Sequence, residues 1–176
     1  HVIVLAVKPQ VLQEVVVPLG SLVAEYQPLL VSVAAGITAP SIERWAGDQP
    51  ALVRVMPNTP ALVGAGISTL YANKNVDEDQ RKLAETIMSA VGKTLWIKEE
   101  SLMDTVTAVS GSGPAYFFYV MQAINDAALN NGLDAETARL LTLETALGAA
   151  RLALESAEEP GTLQKRVTSP GGTTEA

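Results

Sequence analysis

Residues 52–60 read Leu52-Val53-Arg54-Val55-Met56-Pro57-Asn58-Thr59-Pro60. An apolar run, broken by one charge, ends abruptly in two prolines around an asparagine. Short continuous apolar runs bounded by turn residues suit a strand buried on both faces of a sheet. Proline fixes the backbone, and an asparagine side chain makes several hydrogen bonds. The stretch therefore reads as a buried strand followed by a rigid turn, which is an α/β signature. Working outward, residues 2–7 and 29–34 are runs of the same kind, and 66–71 and 94–97 are shorter ones. They alternate with helical or turn-rich pieces. Spacings of about 20–30 residues leave room for crossover helices, so a parallel sheet is expected.

The clearest crossover helix covers residues 77–91. Asp77, Glu78 and Asp79 stand at its first turn, where the helix dipole favours acids. Leu83, Ala84, Ile87, Met88 and Val91 recur at helical spacing, with Gly92 expected to close the helix. From about Leu102 the strand pattern stops. Pro114 suits a first helical turn. Phe118, Met121, Ile124, Ala128 and Leu129 then repeat at i, i+3, i+4 spacing up to Gly132. Asp134 is the expected cap of a longer helix carrying Ala138, Leu141, Ala149 and Leu152, which ends before Pro160. Leu140, Leu143, Leu147 and Leu154 fall on its other faces. A helix apolar all round needs burial on most sides, which either further chain or a second subunit must provide, and an intertwined helical dimer is expected. The expected domains are an α/β half over 1–98 and an all-α half over 99–176.

Composition narrows the chemistry. The 176 residues carry a net charge of −7 and show no basic stripe, which speaks against nucleic acid. There is no Cys, and the one His is residue 1. Disulfides, thiolate chemistry, a Ser-His-Asp triad and a His-based metal site are thereby excluded. No metal is expected. No apolar run reaches the ~18–20 residues of a membrane span, and no signal peptide opens the chain. A cytoplasmic protein with no membrane partner is the expectation.

Five short motifs carry candidate chemistry. Ala6-Val7-Lys8-Pro9 and Ala34-Ala35-Gly36 follow presumed strands, as does Met56-Pro57-Asn58-Thr59-Pro60. Ligands of open α/β sheets bind outside such strand ends, although each motif also reads as a plain turn. Ser110-Gly111-Ser112-Gly113-Pro114 precedes a helix, where hydroxyls and glycines can present amides to an anion or act only as a cap. Ser169-Pro170-Gly171-Gly172-Thr173-Thr174 reads as a loop with the same capacity, aimed at a carboxylate. No G-x-G-x-x-G occurs, so the motifs alone do not support a dinucleotide site.

Taken in order, AVKPQ, VSVAAG, VRVMPNTPALVGAG, VTAVSGSGPAY and VTSPGGTT resemble the pyrroline-5-carboxylate reductases of bacterial type along essentially the whole chain. The resemblance implies a Rossmann-like nucleotide-binding domain followed by an all-α dimerisation domain. Both would be incomplete, since family members begin earlier with a glycine-rich turn and continue further. It implies hydride transfer from NADPH or NADH to 1-pyrroline-5-carboxylate, giving L-proline, in a homodimer or larger homo-oligomer. By the same resemblance Ala6, Val7, Lys8, Pro9, Ala35, Asn58 and Ser112 contact the cofactor. Ser169, Gly171, Gly172, Thr173 and Thr174 hold the substrate, with Glu100 as a substrate-side acid and Thr174 as the catalytic hydrogen-bond partner. Two alternatives stand beside it. A β-hydroxyacid dehydrogenase relative would need a catalytic lysine on a C-terminal helix, where only Lys165 follows Glu100 and lies outside the long helical patterns. A non-catalytic dimerising helical module is the other.

Overall fold

In a computed structural model, which describes residues 1–47 and 49–175, the five apolar runs form one sheet in the order β1-β2-β3-β4-β5. The strands are β1 (Val2–Leu5), β2 (Leu29–Ser32), β3 (Leu52–Met56), β4 (Gly66–Ala72) and β5 (Gly92–Trp96). Side chains of β2 and β3 alternate between two cores. Leu30 and Leu52 join Leu5, Leu12, Val16, Val23 and Ile42 on one face. Leu29, Val31, Val53 and Val55 join Leu70, Ala84 and Met88 on the other. Every residue from Leu29 to Ser32 is buried, as an unbroken apolar strand demands. Each fully buried Leu or Val of this kind contributes about 1.5–3 kcal/mol.

The sheet is mixed, not parallel throughout. β1, β2 and β3 run parallel, but β4 pairs antiparallel with β3, and β5 is parallel to β4. Only residues 57–65 separate β3 from β4, and a parallel crossover needs about a dozen or more. The chain instead folds straight back through a tight helical turn, Thr59–Val63. Gly92 does not close the preceding helix. It opens β5 at φ 150°, pressed against the backbone of Gly66.

Helices α1 (Leu12–Val16), α2 (Gly20–Tyr26) and α3 (Ala39–Ala46) fill the pieces between the first three strands. Helix α4 (Glu78–Ser89) starts on a reciprocal cap: Asp77 Oδ1 accepts the Gln80 amide, and Gln80 Oε1 accepts the Asp77 amide. A short helix α5 (Met103–Val106) follows β5.

The chain divides into two compact units, His1–Ala115 and Tyr116–Ala176. The second holds most of α6 (Gly113–Asn130), all of α7 (Ala135–Glu155) and α8 (Pro160–Arg166). Asp134 caps α7 by accepting the Thr137 amide at 2.9 Å. That bond, then one from the Thr137 hydroxyl, holds its carboxyl below the usual aspartate range. The long helix α7 ends at Glu155, before Pro160 as expected, and Lys165 lies outside it on the short helix α8, for which no expectation was made. Proline is well suited to a first helical position, where its missing N–H costs nothing. Large apolar side chains stand open along α6 and α7, among them Phe117, Phe118, Tyr119, Leu140, Leu141 and Leu152.

Candidate active site

The parallel strands place three of the motifs on one rim. Residues 6–9 leave β1, residues 33–36 leave β2 and residues 57–58 leave β3, all at the same edge of the sheet. Lys8 is exposed, and its carbonyl accepts the Val11 amide as the chain turns. Ala6 and Ala35 are exposed, Val7 and Pro9 half-buried. Gly36 has φ 74° and nothing within 4 Å of where a Cβ would stand. Such a rim leaves main chain open to a flat ligand.

Asn58 carries a structural duty as well. Its Oδ1 accepts the Ile67 amide at 3.0 Å, which locks the turn between β3 and β4. Among the described residues its Nδ2 has no partner.

The Ser110–Gly113 stretch is not a loop. Residues Thr107–Gly111 form a wide helical turn that runs from α5 into α6. The Ser112 amide is used inside it, donating to Thr107 O at 2.8 Å, and the Ser110 hydroxyl donates to Val106 O. The amides expected to face an anion are thus partly consumed, because a helix continued through where a cap was expected. Ser112 is exposed, and its hydroxyl has no partner among the described residues. A Cβ on Gly111 would stand 2.3 Å from Met56 Cε, so this turn lies against the end of β3 and brings Ser112 to the same rim. Wide turns of this kind are frequent at functional sites.

Ser169–Thr174 forms a turn directly after α8. Gly171 has φ 71°, and the Gly172 amide donates to Ser169 O at 2.9 Å. The Gly171 amide donates to the carboxylate of Glu175 at 2.5 Å. The segment therefore already holds a carboxylate on a backbone amide. Those of Thr173 and Thr174 have no partner among the described residues, and Ser169, Thr173 and Thr174 are exposed.

Glu100 is half-buried. Its Oε1 accepts the Ala39 amide at 2.6 Å and an Arg54 guanidinium N–H. Arg54 is 7% exposed and faces Tyr71 across the β3–β4 ladder. Burial pushes the Tyr71 hydroxyl up from its ordinary value, Glu100 and Glu43 add to this, and Arg54 opposes it. This cluster has little sequence signal beyond one arginine inside an apolar strand.

A concavity of about 360 Å³ lies at the opposite edge of the sheet and is lined by Gln27, Gln49, Asn75 and Asp77. Its polar groups largely serve each other, as in the Asn75 Nδ2 bond to Gln49 O. Among the described residues no group of three or more His, Cys, Asp or Glu is placed to hold a metal ion. No described helix is long and apolar enough to cross a membrane.

Comparison with known proteins agrees with these motifs. Residues 100–176 match the pyrroline-5-carboxylate reductase dimerisation family. The pyrroline-5-carboxylate reductase of Pseudomonas aeruginosa is 54% identical over 175 residues, covering 99% of this chain and 64% of the relative. The solved reductase of Coxiella burnetii superposes with a TM-score of 0.90 at 50% identity, over 99% of this chain and 64% of its own. That of Plasmodium falciparum, solved with NADP bound, gives 0.91 at 34% identity, over 99% and 65%. The chain thus spans just under two thirds of the length of these relatives. Along 99% of its length the chain is thus similar to pyrroline-5-carboxylate reductases in sequence and in fold, and its residues 100–176 match their dimerisation family.

Proposed function

We propose that the protein reduces 1-pyrroline-5-carboxylate to L-proline with hydride from NADPH or NADH, as a cytoplasmic homodimer or larger homo-oligomer. The observation that carries this reading is the single rim that gathers Lys8, Ala35, Asn58 and Ser112. Its exposed alanines and the open space at Gly36 fit a nicotinamide dinucleotide. Ala6, Val7, Lys8, Pro9, Ala35, Asn58 and Ser112 would hold that group, which supplies the hydride when bound. Lys8 offers a positive charge to an anionic ligand, Asn58 an amide N–H, and Ser112 a hydroxyl.

Ser169, Gly172, Thr173 and Thr174 bind the substrate carboxylate in this reading. Backbone amides at a tight turn stabilise an anion without burying a lysine. The way Gly171 already holds the Glu175 carboxylate supports that use. Thr174 orients the imine nitrogen, which must carry a proton by the time the carbon gains hydride. A threonine hydroxyl is a weak acid, so its work is chiefly to orient a nitrogen already protonated. The nucleotide-binding role falls to residues 1–98 and dimerisation to residues 99–176.

Titration of the full chain with NADPH tests the reading. Quenching of Trp45 and Trp96 fluorescence, together with NADPH oxidation on adding the cyclic imino acid, is expected. A chain that binds neither NADPH nor NADH would sink it.

A further inference from the structure

We propose that Glu100 is a positioning residue, a clasp that sets the cofactor-facing rim without touching substrate. The proposal rests on the reading above and deepens it. One carboxylate oxygen takes donors from two distant elements. The Ala39 amide is 61 residues away in sequence and Arg54 is 46 away. Ala39 is the first residue of α3 and is 2% exposed. It lies four residues past Ala35, on the loop that leaves β2. Its amide is one of the unpaired donors at a helix start, where a carboxylate is favoured.

Arg54 sits on β3 two residues before Met56, the side chain on which the 107–111 turn rests. Glu100 itself opens the segment that climbs through α5 to that turn. Its carboxylate therefore ties together three walls of the rim: the 33–39 loop, β3, and the approach to Ser112. Both donors on Glu100 Oε1 are groups of the fold itself, so it is already engaged without a ligand. Its side chain is only 20% exposed.

Glu100→Gln preserves Oε1 as an acceptor, whereas Glu100→Ala removes it. In the full chain, Glu100→Ala is expected to weaken NADPH binding, read by tryptophan quenching, about tenfold. KM for the imino acid and kcat at saturating cofactor should stay within about threefold, and Glu100→Gln should lie close to wild type. A rise in the substrate KM or a collapse of kcat with cofactor affinity unchanged would overturn the proposal, as would no change at all. Should Glu100→Ala fail to fold, Arg54→Met/Glu100→Met removes both buried charges and is expected to fold. Cofactor binding by that double variant as tight as wild type would also overturn the clasp. If the unmutated chain binds no nicotinamide cofactor, the proposed function fails on its own account. The clasp is then read by a double-mutant cycle between Arg54→Met and Glu100→Met in urea unfolding, where additive effects would refute it.

Discussion

Thr174→Ala tests the chemistry at one hydroxyl. Thr174 is exposed on the turn that follows α8, and its amide has no partner among the described residues. Loss of one positioned hydrogen bond corresponds to about 1.4–2.7 kcal/mol, so kcat/KM of the full chain should fall about 10–100-fold. Steady-state kinetics at saturating cofactor check this, and an unchanged rate would remove Thr174 from the mechanism. The site residues differ in how legible they are. Lys8, Ala35 and Asn58 stand out in sequence because rigid or small residues follow apolar runs. The second duty of Asn58, accepting the Ile67 amide, does not show there, since it depends on β4 folding back. Nor does the pairing of Glu100 with Arg54, because the two meet only across the finished sheet.

Elements impose their own demands, and the junction of β4 with β5 is the sharpest. Gly92 has φ 150°, and a Cβ there would stand 2.0 Å from Gly66 O. The obstacle is backbone in a paired strand, which has no rotamer to retreat into. Gly92→Ala is expected to destabilise the full chain by about 3 kcal/mol, measured as a shift of the urea unfolding midpoint at constant slope. A loss under 0.5 kcal/mol would mean that the two strands part without cost. The antiparallel β4 belongs to this scale too. Its apolar run is visible in sequence, but its direction is set by the short 57–65 connection. The continuous helix through 107–113 was equally hidden, because Ser and Gly in that stretch signal a cap as readily as a turn.

At the scale of the whole molecule, the open apolar faces of α6 and α7 call for a partner. Tyr119 is 78% and Leu154 86% exposed, with Phe117, Phe118, Leu140 and Leu152 also open. So many open apolar side chains on two helices mark an interaction surface, and a second copy of the chain fits the match of residues 100–176 to a dimerisation family. Symmetric pairing through one shared surface is then expected. Light scattering of the full chain should give a dimer or a multiple of it at micromolar concentration. A stable monomer there would contradict the assembly.

The sequence by itself determined the strand runs, the cap at Asp134, the acids at the start of α4, the end of the strand pattern before residue 100, and the motifs of the rim. These rest on local properties: side-chain period, turn chemistry and the helix dipole. Only the tertiary structure decided the direction of β4, the wide turn beneath Ser112, the helix after Pro160 and the engagement of Glu100 with Arg54 and Ala39. Each depends on groups far apart in sequence meeting in a packed interior. Distance along the chain carries no information about which buried donor will find which acceptor.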